Sequence, residues 1–117
     1  MTGDYIQVFT TTASKQEANE IALHLVEQKL AACVQVVGPI SSTYRWKEKI
    51  ENAEEWLCII KTSVVLFEKL KKAIGIVQKY EVPEVTAVPI IAMNIDYEEW
   101  LRGTLVEPPE GGQGTEA

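Results

Sequence analysis

Two amphipathic helical stripes, each bracketed by short β-branched and aromatic runs, restrict this chain to a narrow set of layered α and β folds. In the first stripe, Ala18, Ile21, Ala22, Leu25 and Val26 recur at three- and four-residue spacing, which places them on one side of a helix. Ser14 followed three residues later by Glu17 is a capping-box pattern, in which side chains satisfy N–H groups left free at a helix start. This helix is expected to end near Leu30. The second stripe is Leu66, Phe67, Leu70, Ala73, Ile74 and Val77, with Ser63 available as a cap and Gly75 as a mild weak point.

The flanking segments read as strands. Tyr5 to Thr10 is short, β-branched and aromatic, and Ala32 to Val37 is similar until Gly38-Pro39 interrupts it. Beyond the interruption the chain stays extended, with Ser42, Tyr44 and Trp46 on one face and Thr43, Arg45 and Lys47 on the other. Lys49 to Ala53 reads as a polar turn region, and Glu55 to Thr62 as a third strand whose near-continuous apolar run implies burial on both faces. A fourth strand runs from Val85 to about Ile91 and is bent or at an edge because of Pro89. Asn94 or Asp96 can cap a closing helix that puts Tyr97, Trp100 and Leu101 on one side.

The order strand, helix, strand, strand, helix, strand with a trailing helix predicts an α+β, ferredoxin-like sandwich. Two right-handed crossovers give a four-stranded antiparallel sheet with both helices on one face. With 117 residues, 46% of them hydrophobic, the chain can bury one core, so one domain over 1–105 is expected. The composition of 106–117 turns to proline, glycine and glutamate, which predicts a disordered tail.

The segment from about Ser41 to Thr62 reads as a hairpin with arms longer than the five or six residues usual for a strand, so part of it projects. A projecting ribbon carrying Tyr44, Trp46 and Trp56 would expose aromatic area and unpaired backbone groups unless another chain covers them. Covering about 150 Å² per aromatic at roughly 25 cal/mol per Å² is worth several kcal/mol per ribbon. A closed oligomer is therefore expected. The alternative is that these aromatics fold back onto the subunit's own open sheet face.

Charge narrows the partners. Seventeen acidic against eleven basic side chains give a formal charge of −6, which disfavours nucleic acid and anionic membrane surfaces. No apolar run approaches the roughly 20 residues of a spanning helix, and the start Met1-Thr2-Gly3-Asp4 lacks a basic region followed by an apolar stretch. A cytoplasmic protein is expected, with Cys33 and Cys58 reduced and packed as small hydrophobes.

Three phrases together resemble the CutA divalent-cation tolerance family: Lys29-Leu30-Ala31-Ala32-Cys33-Val34; Tyr44-Arg45-Trp46 with Lys61-Thr62; and Tyr80-Glu81-Val82-Pro83-Glu84 with Val88-Pro89-Ile90. Tyr97 and Trp100 fit the closing helix of that family. The resemblance, running from about Ile6 to Leu105, implies a tightly packed homotrimer with PII-like architecture and a regulatory or binding role. It also implies an intersubunit groove, with Cys33, Lys61, Tyr80 and Glu84 as ligand-contacting residues and Tyr44, Trp46, Trp56 and Trp100 as trimer interface; read as a carboxylate pair, Glu81 and Glu84 are instead solvated loop charges, with Lys61 available to Glu84. The sequence departs from the family at Gly38-Pro39, where members often carry the reverse order, and at Glu48, where they often carry glycine. Gln78, Lys79 and Thr10 stand near places where members carry histidine or a thiol.

Copper binding is implied by the resemblance alone. Copper and zinc sites want three or four converging imidazole or thiolate ligands, whereas His24 has no second such ligand at helical spacing and reads as a solvated side chain. No histidine-based copper site is expected. No catalytic apparatus is visible either: there is no phosphate-cradling glycine loop, and the single histidine has no readable base or nucleophile beside it. A hydrolase of the acylphosphatase type would need an arginine in a phosphate-binding loop, but Arg45 and Arg102 fall on a strand and on the last helix. A binding protein, without an enzyme's machinery, is the expectation.

Overall fold

Residues 4–106 are described by the computed structural model of the chain. Strand β1 (Tyr5–Thr12) leads into helix α1 (Lys15–Glu27); β2 (Cys33–Trp46) and β3 (Lys49–Ser63) form a long hairpin. Helix α2 (Phe67–Val77), β4 (Thr86–Pro89) and α3 (Ile95–Thr104) follow. The sheet order β2-β3-β1-β4, with every neighbouring pair antiparallel, is the expected ferredoxin-like arrangement.

Strand alternation sorts the sheet into two unlike faces. Ile6, Val8, Cys58 and Ile60 point toward Ala18, Ile21 and Leu25 of α1 and Leu70, Ala73 and Ile74 of α2, all in one buried cluster. Both helices therefore cover the same face. On the opposite face Phe9, Leu57 and Ile59 are only half-buried and Val37 is exposed, so the expected two-sided burial of β3 does not occur within one subunit. A second cluster closes the end of the sheet, where Leu101 of α3 packs with Tyr5, Ala32, Leu66 and Leu105.

Helix boundaries follow backbone hydrogen bonding. The Ser14 hydroxyl accepts from the Glu17 N–H at 3.1 Å, as anticipated. Helix α1 ends three residues early because Leu30 N–H reaches Leu25 O and Lys29 N–H reaches Val26 O, a Schellman closure with Lys29 at φ 59°. Val26, assigned to the buried stripe, is exposed. Ser63 makes no side-chain cap, since a 3-10 turn over Val64–Leu66 precedes α2. At the other end, Val106 N–H donates to Lys29 O at 2.8 Å, so this residue, assigned to the tail, still belongs to the fold. The rest of the expected tail, 107–117, lies outside the described residues.

The hairpin differs most from expectation. Lys49 to Ala53 is strand, and the turn is confined to Lys47 and Glu48, with φ 51° and 69°. Pairing continues from Trp46↔Lys49 to Ile40↔Glu55, then skips Gly38 and Pro39, whose peptide bond is cis, before resuming at Val37↔Leu57. The irregularity separates a projecting ribbon from the sheet proper. A radius of gyration of 15.3 Å against about 13 Å for a compact chain of this size measures that projection.

Candidate binding cleft

Where the ribbon leaves the sheet, it faces the segment that joins α2 to β4, and a cleft of about 620 Å³ opens between them. Its ribbon wall is Ser42, Thr43, Tyr44 and Trp46; its floor is Thr11 and Glu55; its far wall is Tyr80, Glu81, Val82 and Glu84. Ser42, Tyr44 and Trp46 share this wall because even positions of β2 beyond the bulge pair with the odd positions of β3 that end at Glu55.

Two side chains hold the far wall in place. Gln78 is buried; its Nε2 donates to Thr11 O, while its Oε1 accepts from the N–H groups of Lys79 at 2.8 Å and Tyr80 at 3.1 Å. Glu17, the expected capping-box partner, spends Oε2 on the Lys79 N–H at 3.0 Å. Tyr80 then reaches inward, its hydroxyl donating to Glu55 Oε2 at 2.7 Å. Burial, then hydrogen bonding to the Glu55 carboxylate, pushes the Tyr80 phenol well above its usual range, so it stays a neutral donor. Glu55 itself is 9% exposed.

The residues expected to share one site fall into two groups on the subunit. Tyr44, Trp46, Tyr80 and Glu84 line the cleft. Cys33 and Lys61 are cross-strand partners on the open sheet face, where the Lys61 ammonium donates to Gln35 Oε1 at 2.8 Å. Within the subunit Lys61 and Glu84 do not pair: Lys61 turns to Gln35, and the Glu84 carboxylate accepts from the Thr86 hydroxyl at 3.4 Å. Trp100 belongs to neither group, standing 48% exposed on α3 with its ring 5.3 Å from that of Tyr97. Burial, then the neighbouring Cys33, pushes the Tyr97 phenol upward.

Trp56 is displaced from its expected place on the projecting arm. It pairs with Thr12 at the ribbon's base, lies on the helix-covered side against the main core, and covers Gly38. Tyr44 and Trp46 do project, Tyr44 being 45% exposed. Sequence reading missed Glu55 and Gln78, since only the fold brings Tyr80 onto one and Thr11 onto the other. Among the described residues no three of histidine, cysteine, aspartate and glutamate converge to hold a metal ion. His24 is half-buried on α1, less solvated than expected.

Comparison with known proteins places this geometry. The family model described as CutA1 divalent ion tolerance protein matches residues 6–104. The divalent-cation tolerance protein CutA of Thermus thermophilus is 41% identical over 95 residues, covering 81% of this chain and 92% of that protein. The chloroplastic protein CutA of Arabidopsis thaliana is 38% identical over 99 residues, covering 85% of this chain and 54% of that protein, so the chain spans about half the length of this plant relative. A crystal structure of CutA1 from Oryza sativa superposes with a TM-score of 0.87 at 38% identity, covering 91% of this chain and 97% of that one.

Proposed function

The chain belongs to the CutA1 divalent ion tolerance family, and from that premise we propose that it works as a cytoplasmic, homotrimeric divalent-cation tolerance protein that binds and does not catalyse. The observation that carries the assembly is the one-sided sheet. Phe9, Leu57 and Ile59 are only half-covered on the open face, and the ribbon offers Tyr44 and Ile50, the latter 64% exposed, beyond the reach of the subunit's own helices. Apolar surface of this kind on a long paired ribbon favours self-association over exposure. In the trimer, a neighbour would close the cleft and bring the Cys33–Lys61 group toward Tyr80 and Glu84.

A binding role rests on the chemistry of the cleft. Tyr80 and Glu55 form a neutral phenol held by a carboxylate, which supplies neither an activated nucleophile nor a free base. A copper or zinc ion would need converging imidazole or thiolate ligands; His24 and Cys33 each stand alone, so the residues of one subunit do not fit such an ion. The second reading, a PII-like signalling trimer that binds a small ligand or partner in its intersubunit groove, is favoured by one feature, the cleft of about 620 Å³. As for compartment, the chloroplast belongs to the name of the longer Arabidopsis protein. No helix among the described residues is long and apolar enough to cross a membrane.

Light scattering on the purified chain at micromolar concentration tests the assembly. The expected mass is three times 13.1 kDa, and a monomeric mass would remove the support for an intersubunit site.

A further inference from the structure

We propose that the outer surface of the two helices is a second self-association face, on which α1 of one copy packs against α2 of another across a two-fold axis. This surface lies on the opposite side of the sheet from the open face that supports the trimer, and away from the ribbon. The inference therefore goes beyond that assembly and does not depend on it.

Helical spacing gives the first argument. Leu23 stands 61% exposed on α1, with Glu20 three residues before it and Glu27 four residues after it. Ile76 stands 78% exposed on α2, with Lys72 four and Lys69 seven residues before it. At these separations each trio shares one outward side of its helix. Single exposed apolar residues are ordinary, but here each helix sets one beside two charges of a single sign, and the two signs are opposite. Among the described residues these four charges have no ionic partner: the ion pairs are Lys71 with Glu68 and Arg102 with Glu98, and Glu20 takes only a 3.4 Å hydrogen bond from Gln16.

Register gives the second. Strands β1 and β3 are antiparallel and each leads into one helix on the same face, so α1 and α2 run antiparallel. Glu17, in the first turn of α1, accepts from the Lys79 N–H just beyond the end of α2, which brings these two ends level. Counted from this tie at about 1.5 Å per residue, Glu27 and Lys69 both lie about 15 Å along, and Leu23, at about 9 Å, falls between Ile76 and Lys72. A two-fold axis along the groove between the helices keeps these levels and exchanges the helices. Each copy then sets Glu27 opposite the partner's Lys69, and Leu23 against the partner's Ile76 and Lys72, twice over as an isologous contact requires. The match is that of the chain with itself, which selects a second copy as the occupant. One face of two short helices buries less than the roughly 800 Å² per partner of a standard interface, so the association is weak and reversible.

Sedimentation velocity of the full chain from about 10 µM to about 1 mM tests this, a range suited to so small an interface. The expected result is a weight-average mass that climbs with concentration and falls back at high salt. Lys69→Glu/Lys72→Glu makes both helices acidic on this face, and Glu20→Lys/Glu27→Lys makes both basic. Each double variant alone should hold the parent's low-concentration mass throughout, while a one-to-one mixture of the two should climb as the parent does. All four positions are exposed, and circular dichroism checks that each variant is folded. A parent whose mass stays flat, single variants that climb like the parent, or a mixture that behaves as the mean of its parts overturns the proposal. With a flat parent, pelleting on phosphatidylserine vesicles would assign the lysines to an anionic surface instead. The low-concentration mass reads the trimer separately: a threefold mass that never climbs sinks only the helix contact, and a monomeric mass that climbs sinks only the trimer.

Discussion

Replacing Gly38 by alanine puts the junction between sheet and ribbon to the test. A Cβ built on Gly38 would lie 2.4 Å from Trp56 Cδ1, 2.7 Å from Cγ and 2.9 Å from Nε1. Carbon atoms rest at about 3.5–4.0 Å, so the indole must retreat by roughly 1 Å while its other side packs on the core. Gly38 does not occupy the left-handed region, so the penalty is steric, and overpacking of this kind costs about 1–3 kcal/mol. Chemical denaturation should show the midpoint falling with little change in slope. Thermal unfolding should fall by about 4–8 °C for each kcal/mol. Because the cause is the ring, Trp56→Leu should absorb most of the added penalty, giving a coupling of about 1 kcal/mol or more between the two sites. Gly75 supplies the contrast: nothing lies within 4 Å of its added Cβ on the exposed side of α2, so Gly75→Ala should stabilise by up to about 1 kcal/mol. A Gly38→Ala protein as stable as the parent, or strict additivity with Trp56→Leu, would refute the steric account.

Two further perturbations bear on other parts of the molecule. Lys47 and Glu48 hold the hairpin turn at φ 51° and 69°, a conformation that favours Asn-Gly; the double change Lys47→Asn/Glu48→Gly should stabilise by about 1–2 kcal/mol in denaturant unfolding, and an unchanged midpoint would count against strain there. Burial, then the nearby Glu17 carboxylate, pushes the Cys58 thiol from 9.0 up to about 11. Its stabilising contribution is full below pH 9 and is lost as pH rises toward 11, at about 1.4 kcal/mol per pH unit. The raised Tyr80 phenol acts in the same direction above pH 10. Unfolding followed from pH 8 to 11 should therefore show falling stability that is flattened in Cys58→Ala, and a thiol reagent at pH 8 should modify half-exposed Cys33 while sparing Cys58; equal labelling of both would contradict the burial.

The parts of this fold that sequence reveals are those set by short-range periodicity. Ile21 and Leu25 on one helix, and Leu70 and Ile74 on the other, are buried as their spacing requires, and their order among the strands fixes the sheet. The hairpin turn was hidden because Lys47 and Glu48 are not the residue types that mark left-handed turns, so the polar stretch after them looked like loop. The run Leu57-Cys58-Ile59-Ile60 reads as doubly buried because its residues are uniformly apolar, yet one subunit covers only Cys58 and Ile60. The aromatic members of the cleft were readable as types that seek partners. Glu55 was not, since its burial depends on Tyr80, 25 residues away, and a glutamate beside a tryptophan looks like any solvated charge.

Gln78 links the end of β1 to the wall of the cleft. The family resemblance draws attention to this neighbourhood as one where relatives carry imidazole, and a vacant ligand position would leave the side chain with little to do. Instead the Gln78 amide is engaged at both ends, donating to the end of strand β1 through Thr11 O and accepting from two successive N–H groups of the following segment. An amide carries donor and acceptor in one rigid plane, so it can clip a strand to a loop in a way that a metal-bound ring nitrogen cannot. The clip fixes where Tyr80 begins, and Tyr80 in turn fixes Glu55. The same buried side chain, standing where the resemblance places imidazole, therefore builds the wall of an aromatic, acidic cleft.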